Sequence, residues 1–156
     1  MLPLRALAAT ACCCLLLATH AARGAPTAPR HPRAVVTNQG DNSVTLIDLA
    51  TREVVATVPV GQHPAGVAAG QTAGEFAYVS NPDGNDLSIV DLAAAKTLGT
   101  IPTGPSPLGL AADPVRPRLY VANWYDQRVE VVDRDARKVI AAFPVGRIPA
   151  GLAVTP

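Results

Sequence analysis

Two adjacent aromatic residues, Trp124 and Tyr125, are the side chains of this 156-residue chain best suited to hold a ligand. The first is the only tryptophan of the chain, and the carboxylate of Asp126 follows the pair directly. Planar rings on a loop suit stacking on a sugar, on another ring or on a partner protein. We therefore predict Trp124, Tyr125 and Asp126 as binding residues, although the two rings would also suit packing over a neighbouring loop.

Three further residues could add charge to the same chemistry: Asp83, His63 and Arg147. His63 has no second histidine or carboxylate in its own loop, and the segment around Asp83 lacks the ligand spacing of an EF-hand calcium loop. Arg147 suits an anion. The sequence shows no Ser/His/Asp order, no glycine-rich phosphate loop and no paired glutamates. We predict these three as binding residues, and we predict no catalytic residue, no metal site and no cofactor.

The elements that must position these residues follow from a repeat of 42 to 43 residues that begins at Ala34. Five markers keep this register through three units: Asn38, Asn81 and Asn123; Asp48, Asp91 and Asp133; Gly61, Gly104 and Gly146; Pro64, Pro107 and Pro149; Gly66, Gly109 and Gly151. A fixed period of this length indicates stacked units that each need a neighbour to bury their apolar faces.

Each unit contains short runs of Val, Ile, Leu and Thr that are separated by Gly and Pro, which predicts β-strands. Many runs, such as Val54–Val58, are apolar on both faces, as expected of a sheet packed between two others. Four short strands in every unit predict an all-β fold of β-propeller-type blades. We expect about three blades of four antiparallel strands at 34–61, 64–104 and 107–146, with a terminal strand at 150–154 that is free or pairs with the first blade.

The repeat resembles the YVTN family of propeller repeats. The first unit carries Val36-Thr37-Asn38, then Asn42–Asp48, then Val54–Gly61, then Pro64-Ala65-Gly66-Val67-Ala68. The matching strands of the next two units begin at Tyr78 and Tyr120. The resemblance covers essentially all of 34–156. It implies a propeller fold and leaves the function open, because one scaffold supports unrelated roles.

In such a propeller, the loops that join strand four to the next blade share one face with the loops that join strands two and three. We call this the loop face, and all six predicted binding residues fall on it. The repeated residues are predicted to be structural. The Asn set is expected to bond its own loop backbone, and the Asp set to stabilise hairpin turns.

Residues 1–24 are predicted to be a secretory signal peptide, because a positive start at Arg5 precedes an apolar run from Ala6 to Ala18. All three cysteines, Cys12 to Cys14, lie in this segment, which leaves lipid anchoring as an alternative with a poor lipobox. Residues 25–33 are expected to be a flexible lead-in. The expected location is periplasmic or extracellular.

Charge excludes one class of partner. From Ala25 onward, 11 basic residues stand against 12 acidic ones without a basic stripe, so nucleic-acid binding is not expected. No apolar span of membrane-crossing length follows the predicted signal. A protein or a small molecule at the loop face is the expected partner.

The leading functional prediction is a secreted, non-catalytic repeat module that presents its loop face for binding. The alternatives are a remnant or subunit of a periplasmic propeller enzyme, lactonase-like or dehydrogenase-associated, and a structural cell-surface repeat. Closed propellers have about four to eight blades. We therefore expect either a fragment of a longer propeller or self-association of the chain, for example two copies that supply six blades.

Overall fold

In a computed structural model of the chain, the residues described are 32–70 and 76–155. They contain eleven β-strands, one 3-10 turn (Gln39–Asp41) and no α-helix. The strands are β1 Arg33–Asn38, β2 Ser43–Asp48, β3 Glu53–Pro59, β4 Val67–Ala69, β5 Phe76–Asn81, β6 Asp86–Asp91, β7 Lys96–Pro102, β8 Pro107–Ala112, β9 Arg118–Asn123, β10 Arg128–Asp133 and β11 Lys138–Pro144. The predicted signal peptide lies outside the described residues, as does most of the lead-in.

The strands form three antiparallel sheets, which we call blades 1, 2 and 3. Blade 1 has the order β1-β2-β3, blade 2 the order β4-β5-β6-β7, and blade 3 the order β11-β10-β9-β8. Consecutive strands of each blade pair with one another. The predicted all-β class with four-stranded antiparallel blades is confirmed, with three strands in the described part of blade 1.

Each blade carries a register shift at the same repeat position. The shifts lie at Leu46/Ile47, Ile89/Val90 and Val131/Val132. The opposing strand gains one unpaired residue there, and these residues are Val55, Leu98 and Ile140. Such bulges strengthen the local twist of a sheet, as blades that stack around an axis require.

In each blade, the predicted aspartate holds the hairpin that joins the last two strands. The carboxylate of Asp48 accepts the backbone N–H groups of Ala50 and Thr51 at 2.8 and 3.0 Å. Asp91 and Asp133 do the same two and three residues further on. This prediction is confirmed, since a short side-chain acceptor satisfies two backbone donors of a tight turn.

The hydrophobic core lies between the blades. Blades 1 and 2 bury a cluster that includes Val44, Leu46 and Val79. Blades 2 and 3 bury a second cluster that includes Leu87 and Leu119. Blade 2 is therefore covered on both faces, which explains why its strands are apolar on alternate and intervening positions.

Residues 150–154 form no strand, contrary to the sequence-based expectation. A Cβ atom built on Gly109 would lie 2.0 Å from the carbonyl oxygen of Ala150, so this segment packs on blade 3 rather than pairing with blade 1. The carbonyl of Leu108 approaches Gly66 in the same way, at 2.3 Å from the built Cβ. Residues 150–154 therefore obey the repeat. In each case, the segment that leaves one blade packs against the start of that blade's first strand.

Candidate functional site

The loop face is braced by a pair of asparagines in the left-handed conformation. Asn42 and Asn85 end the loops after β1 and β5 with φ values of 50° and 54°. Their side-chain oxygens accept the backbone N–H groups of His63 and Ser106, each at 2.9 Å. Because Asn tolerates this conformation, each hairpin loop can fix the start of the crossing to the next blade.

One cavity of about 380 Å³ and another of about 360 Å³ are present among the described residues, and the second opens on the loop face. It is lined by Gln39, His63, Pro82, Asp83, Ser106, Leu108, Trp124 and Tyr125. Loops of all three blades therefore contribute to it. The structure brings four of the six predicted binding residues to this cavity, which we call the loop-face cavity.

The two adjacent aromatic residues differ in exposure. The backbone N–H of Trp124 donates to the carbonyl of Ser106 at 2.9 Å, and the tryptophan is half-buried. Tyr125 is 75% exposed. The cavity is therefore lined by two aromatic residues, one half-buried and one exposed, and both offer ring faces.

His63 and Asp83 face each other across the cavity wall. The Nδ1 atom of His63 contacts the Oδ2 atom of Asp83, and both side chains are about half exposed, at 56% and 55%. The two residues come from consecutive blades. At that exposure the pair contributes little to stability, because water screens it. The contact instead orients the carboxylate of Asp83 and the imidazole of His63 at the edge of the cavity.

The other two predicted residues lie elsewhere. Asp126 forms an ion pair with Arg128 at 2.7 Å and lines a smaller cavity of about 200 Å³ with Phe143. Arg147 is exposed and does not line the loop-face cavity. The sequence could not show that Asp126 pairs with Arg128, two residues further along the same hairpin.

The repeated asparagines are structural, but with different partners from those expected. The amide of Asn38 donates to the hydroxyls of Ser43 and Thr45 at 3.0 and 2.8 Å. Asn81 donates to Asp86 at 2.6 Å and to Ser88 at 2.9 Å. These are side chains of the neighbouring strand rather than the loop backbone, because the asparagine is still within the sheet and points across it.

Sequence reasoning missed a buried carboxylate in blade 3. Glu130 stands at the repeat position of Thr45 and Ser88, is 6% exposed and accepts the N–H of Gly104 at 3.0 and 3.2 Å. The amide of Asn123 beside Gly104 is fully buried, and neither of its polar atoms has a partner in the described part of the chain. The sequence did contain a signal, because Glu130 replaces the hydroxyl residues Thr45 and Ser88 of the first two units.

Two classes of site have no support in the described ranges. In 32–70 and 76–155, no group of three or more His, Cys, Asp and Glu side chains comes together as metal ligands would. Within the same ranges, no helix reaches the length and hydropathy that crossing a membrane requires. The residues that line the loop-face cavity offer aromatic rings, hydrogen-bonding groups and charge.

Comparison with known proteins agrees on the fold. Hydrazine synthase of Kuenenia stuttgartiensis is 24% identical with a TM-score of 0.71, over 76% of this chain and 34% of that one. Apo AztD of Citrobacter koseri is 16% identical with a TM-score of 0.64, over 79% and 34%. The WD40 repeats of RRP9 are 17% identical with a TM-score of 0.66, over 78% and 38%.

These similarities define the class, which is that of β-propeller blades. The chain spans 34 to 38% of the length of these three structures, and at such identities the likeness shows the fold alone. No protein-family model matches the sequence, and no curated protein matches it. The function must therefore be argued from the site.

Proposed function

We propose that this chain is a secreted, non-catalytic β-propeller repeat module that binds a sugar or a similar ring-bearing small molecule in the loop-face cavity. The observation that carries the proposal is the convergence of Trp124, Tyr125, His63 and Asp83, from three separate loops, on one cavity of about 360 Å³. That volume lies in the range of small-molecule sites.

The lining matches the two-sided chemistry of a sugar ring. The rings of Trp124 and Tyr125 offer apolar faces for the C–H side of a pyranose. Gln39, Ser106 and Asp83 bring an amide, a hydroxyl and a carboxylate that suit its hydroxyl edge. The mixture favours a neutral, hydroxylated ring over a purely apolar ligand.

The only tryptophan of the chain provides the test. We expect cellobiose, maltose or lactose to change the emission of Trp124 in a saturable manner. Tyr125→Ala should weaken that binding by roughly fivefold, because one stacking face is lost. Asp83→Asn should also weaken it, because a charged hydrogen-bond acceptor becomes a neutral one.

Phe143→Ala is the matched control, since Phe143 is an exposed aromatic of blade 3 outside the loop-face cavity. It should leave the sugar titration unchanged. The proposal fails if none of the three sugars changes the emission, or if Tyr125→Ala and Phe143→Ala have equal effects.

The finer assignments also belong to this proposal. The motifs at 36–38, 42–48 and 54–61 support a YVTN-type repeat within the propeller class. The apolar run at 6–18 supports export. Amino-terminal sequencing of the chain from an exporting host should find a start near Gly24, and an intact Met1 in the secreted fraction would refute cleavage.

A further inference from the structure

A second cavity lies at the opposite end of the blades from the loop face. Its volume is about 380 Å³, and it is lined by Gly70, Phe76, Tyr78, Ile89, Leu98, Arg134, Asp135 and Arg137. The residues come from blade 2 and from the hairpin between β10 and β11 of blade 3. We call it the hairpin cavity, and it shares no residue with the loop-face cavity.

Arg134 breaks the repeat at this cavity. The equivalent residues of the first two units are Leu49 and Leu92, so the scaffold does not require a cation here. Arg134 is nevertheless 7% exposed. Its Nη2 atom donates to the carbonyl of Arg116 at 3.0 Å, whereas its Nε atom is buried without a hydrogen-bond partner.

The charge of Arg134 is not neutralised by a described carboxylate. The ion pairs in residues 32–70 and 76–155 are His63–Asp83 and Arg128–Asp126. A buried guanidinium without an anion is costly unless something else compensates it. A ligand in the cavity could compensate the charge of Arg134, because Arg134 lines the cavity.

The groups around Arg134 add to the preference for an anion. Among the described residues that line the cavity, Arg134 and Arg137 carry positive charges and Asp135 a negative one, which leaves one excess positive charge. Burial raises the pKa of Tyr78, with Arg134 and Arg137 acting in the opposite direction, so the phenol stays protonated at neutral pH. A protonated phenol can donate a hydrogen bond to an anionic oxygen.

The rest of the wall is apolar. Phe76, Ile89 and the ring of Tyr78 come from the adjacent strands β5 and β6, and Leu98 is the bulged residue of β7. A free inorganic anion would leave this surface in contact with water. A ligand with both a carboxylate and an apolar body would cover it.

We propose that the hairpin cavity binds a small organic anion, a carboxylate on an apolar body, held by Arg134 and Arg137 and covered by Phe76, Ile89 and Leu98. The guanidinium of Arg134 supplies the planar donor geometry that matches a carboxylate. This site is independent of the loop-face cavity and takes ligands of the opposite character.

The test uses 3-phenylpropionate on the purified chain, with calorimetry as the readout. We expect saturable binding of this probe. The uncharged amide, 3-phenylpropionamide, should bind at least about tenfold more weakly, because the charge-assisted hydrogen bonds are lost. Acetate should also bind more weakly, because it lacks the apolar body. Equal binding of the acid and the amide, or of the acid and acetate, overturns the proposal.

Variants locate the site. Arg137→Gln should weaken binding of 3-phenylpropionate about fivefold. Arg52→Gln is its matched control, because Arg52 is the repeat equivalent of Arg137, is exposed and has the same left-handed backbone, with φ of 63° against 52°. Arg134→Gln should abolish binding if the variant folds. The exposed Arg137 keeps the test decisive if it does not. Equal affinities of Arg137→Gln and Arg52→Gln overturn the proposal.

A second readout separates this proposal from the sugar site. Trp124 lines only the loop-face cavity of the two, so its emission should not change when 3-phenylpropionate binds. A change in Trp124 emission that follows the calorimetric saturation would move the probe to the loop-face cavity and overturn the assignment.

Discussion

Asp113 shows how a single side chain can hold a turn through its charge. Its Oδ1 atom accepts the backbone N–H groups of Val115 and Arg116, both at 2.9 Å, and the hydroxyl of Tyr120 approaches Oδ2 at 3.4 Å. The backbone hydrogen bonds from Arg116 and Val115 lower the pKa of Asp113, since they favour the charged form. The turn between β8 and β9 is therefore more stable when this carboxyl is ionised.

We expect Asp113→Asn to make the chain less stable at neutral pH and to reduce its sensitivity to acid. Because the folded pKa lies below the unfolded one, the carboxylate stabilises the fold above the unfolded pKa, and this contribution is lost as the pH falls through the folded value. Urea unfolding should show a difference between Asp113→Asn and the parent chain at neutral pH that shrinks as the pH falls below about 3.9, the ordinary pKa of an aspartate. The exposed Asp41→Asn serves as control, and a difference independent of pH would contradict the prediction.

The candidate site was predictable to the extent that the repeat fixes which loops meet. The spacing alone placed His63, Asp83, Trp124 and Tyr125 on one face, and all four line one cavity. The partner of Asp126 was not predictable, because its ion pair with Arg128 depends on the loop conformation. A side-chain direction within a loop has no periodic signal.

Glu130 and Arg134 were missed for a different reason. Both replace residues of another type in the repeat, Thr45 and Ser88 in one case and Leu in the other. Like Trp124, both residues depart from the repeat, and this departure marks them as functional candidates. They lie within or directly after a strand, where the pattern indicated scaffold. Only the structure shows that both side chains are buried and that the Nε atom of Arg134 has no hydrogen-bond partner among the described residues.

At the scale of the elements, nine non-glycine residues of the described part of the chain have a left-handed backbone, three at each of three repeat positions. One set is Arg52, Ala95 and Arg137, in the hairpin that joins the last two strands of each blade. None of these positions has glycine, the residue that adopts a left-handed backbone most readily. The aspartate that precedes each turn bonds the backbone and holds this conformation despite the unfavourable residue.

Arg52→Gly should therefore stabilise the chain. Glycine adopts φ of 63° without the steric cost of a Cβ atom, and the expected gain is about 0.5–1 kcal/mol in the free energy of unfolding. Thr51→Gly, one residue earlier and without a positive φ, should instead destabilise, because it only adds freedom to the unfolded chain. Denaturant unfolding compares the two, and a loss of stability in both variants would show that the arginine side chain matters more than its backbone.

The close approach of successive blades depends on Gly66. A Cβ atom there would lie 2.3 Å from the carbonyl oxygen of Leu108 and 2.9 Å from a methyl carbon of Leu110. The hydroxyl of Ser80 bridges the same contact, as it accepts the N–H of Gly66 at 2.8 Å and donates to the carbonyl of Leu108 at 2.6 Å. The backbones of blades 2 and 3 leave no room at this point for a side chain.

We expect Gly66→Ala to cost roughly 2 kcal/mol or more in the free energy of unfolding, because backbone rather than a flexible side chain must move. Gly40→Ala is the control, since nothing lies within 4 Å of a Cβ built there. Thermal unfolding of the two variants measures the difference. Equal melting temperatures would mean that the blades can separate without loss of stability.

At the scale of the molecule, blades 1 and 3 each leave one face without the cover that blade 2 has on both. Gly61 and Gly104 meet asparagines of the following blade, whereas nothing among the described residues lies within 4 Å of a Cβ built on Gly146 or Gly151. Phe143, Val145 and Ile148 are exposed beside them. On blade 1, Val36, Val54 and Val55 are also exposed. Within blade 3, Val131 and Val132 are buried, and the exposed apolar residues named above lie on β11 and after it.

We predict that the purified chain associates with itself at these two open faces. Covering a few hundred Å² of apolar surface at each end would contribute several kcal/mol, at roughly 25 cal/mol for each Å². Sedimentation at tens of micromolar should therefore detect dimers or larger species. Phe143→Lys together with Ile148→Lys should shift the chain toward monomer, because the new charges would have to lose water on association. Tyr125→Lys changes a more exposed aromatic on the loop face, outside the residues of the open faces, and should leave the association unchanged. A monomer at every concentration would show that the exposed faces are stable in water, and the arc of three blades would then need no partner to remain folded.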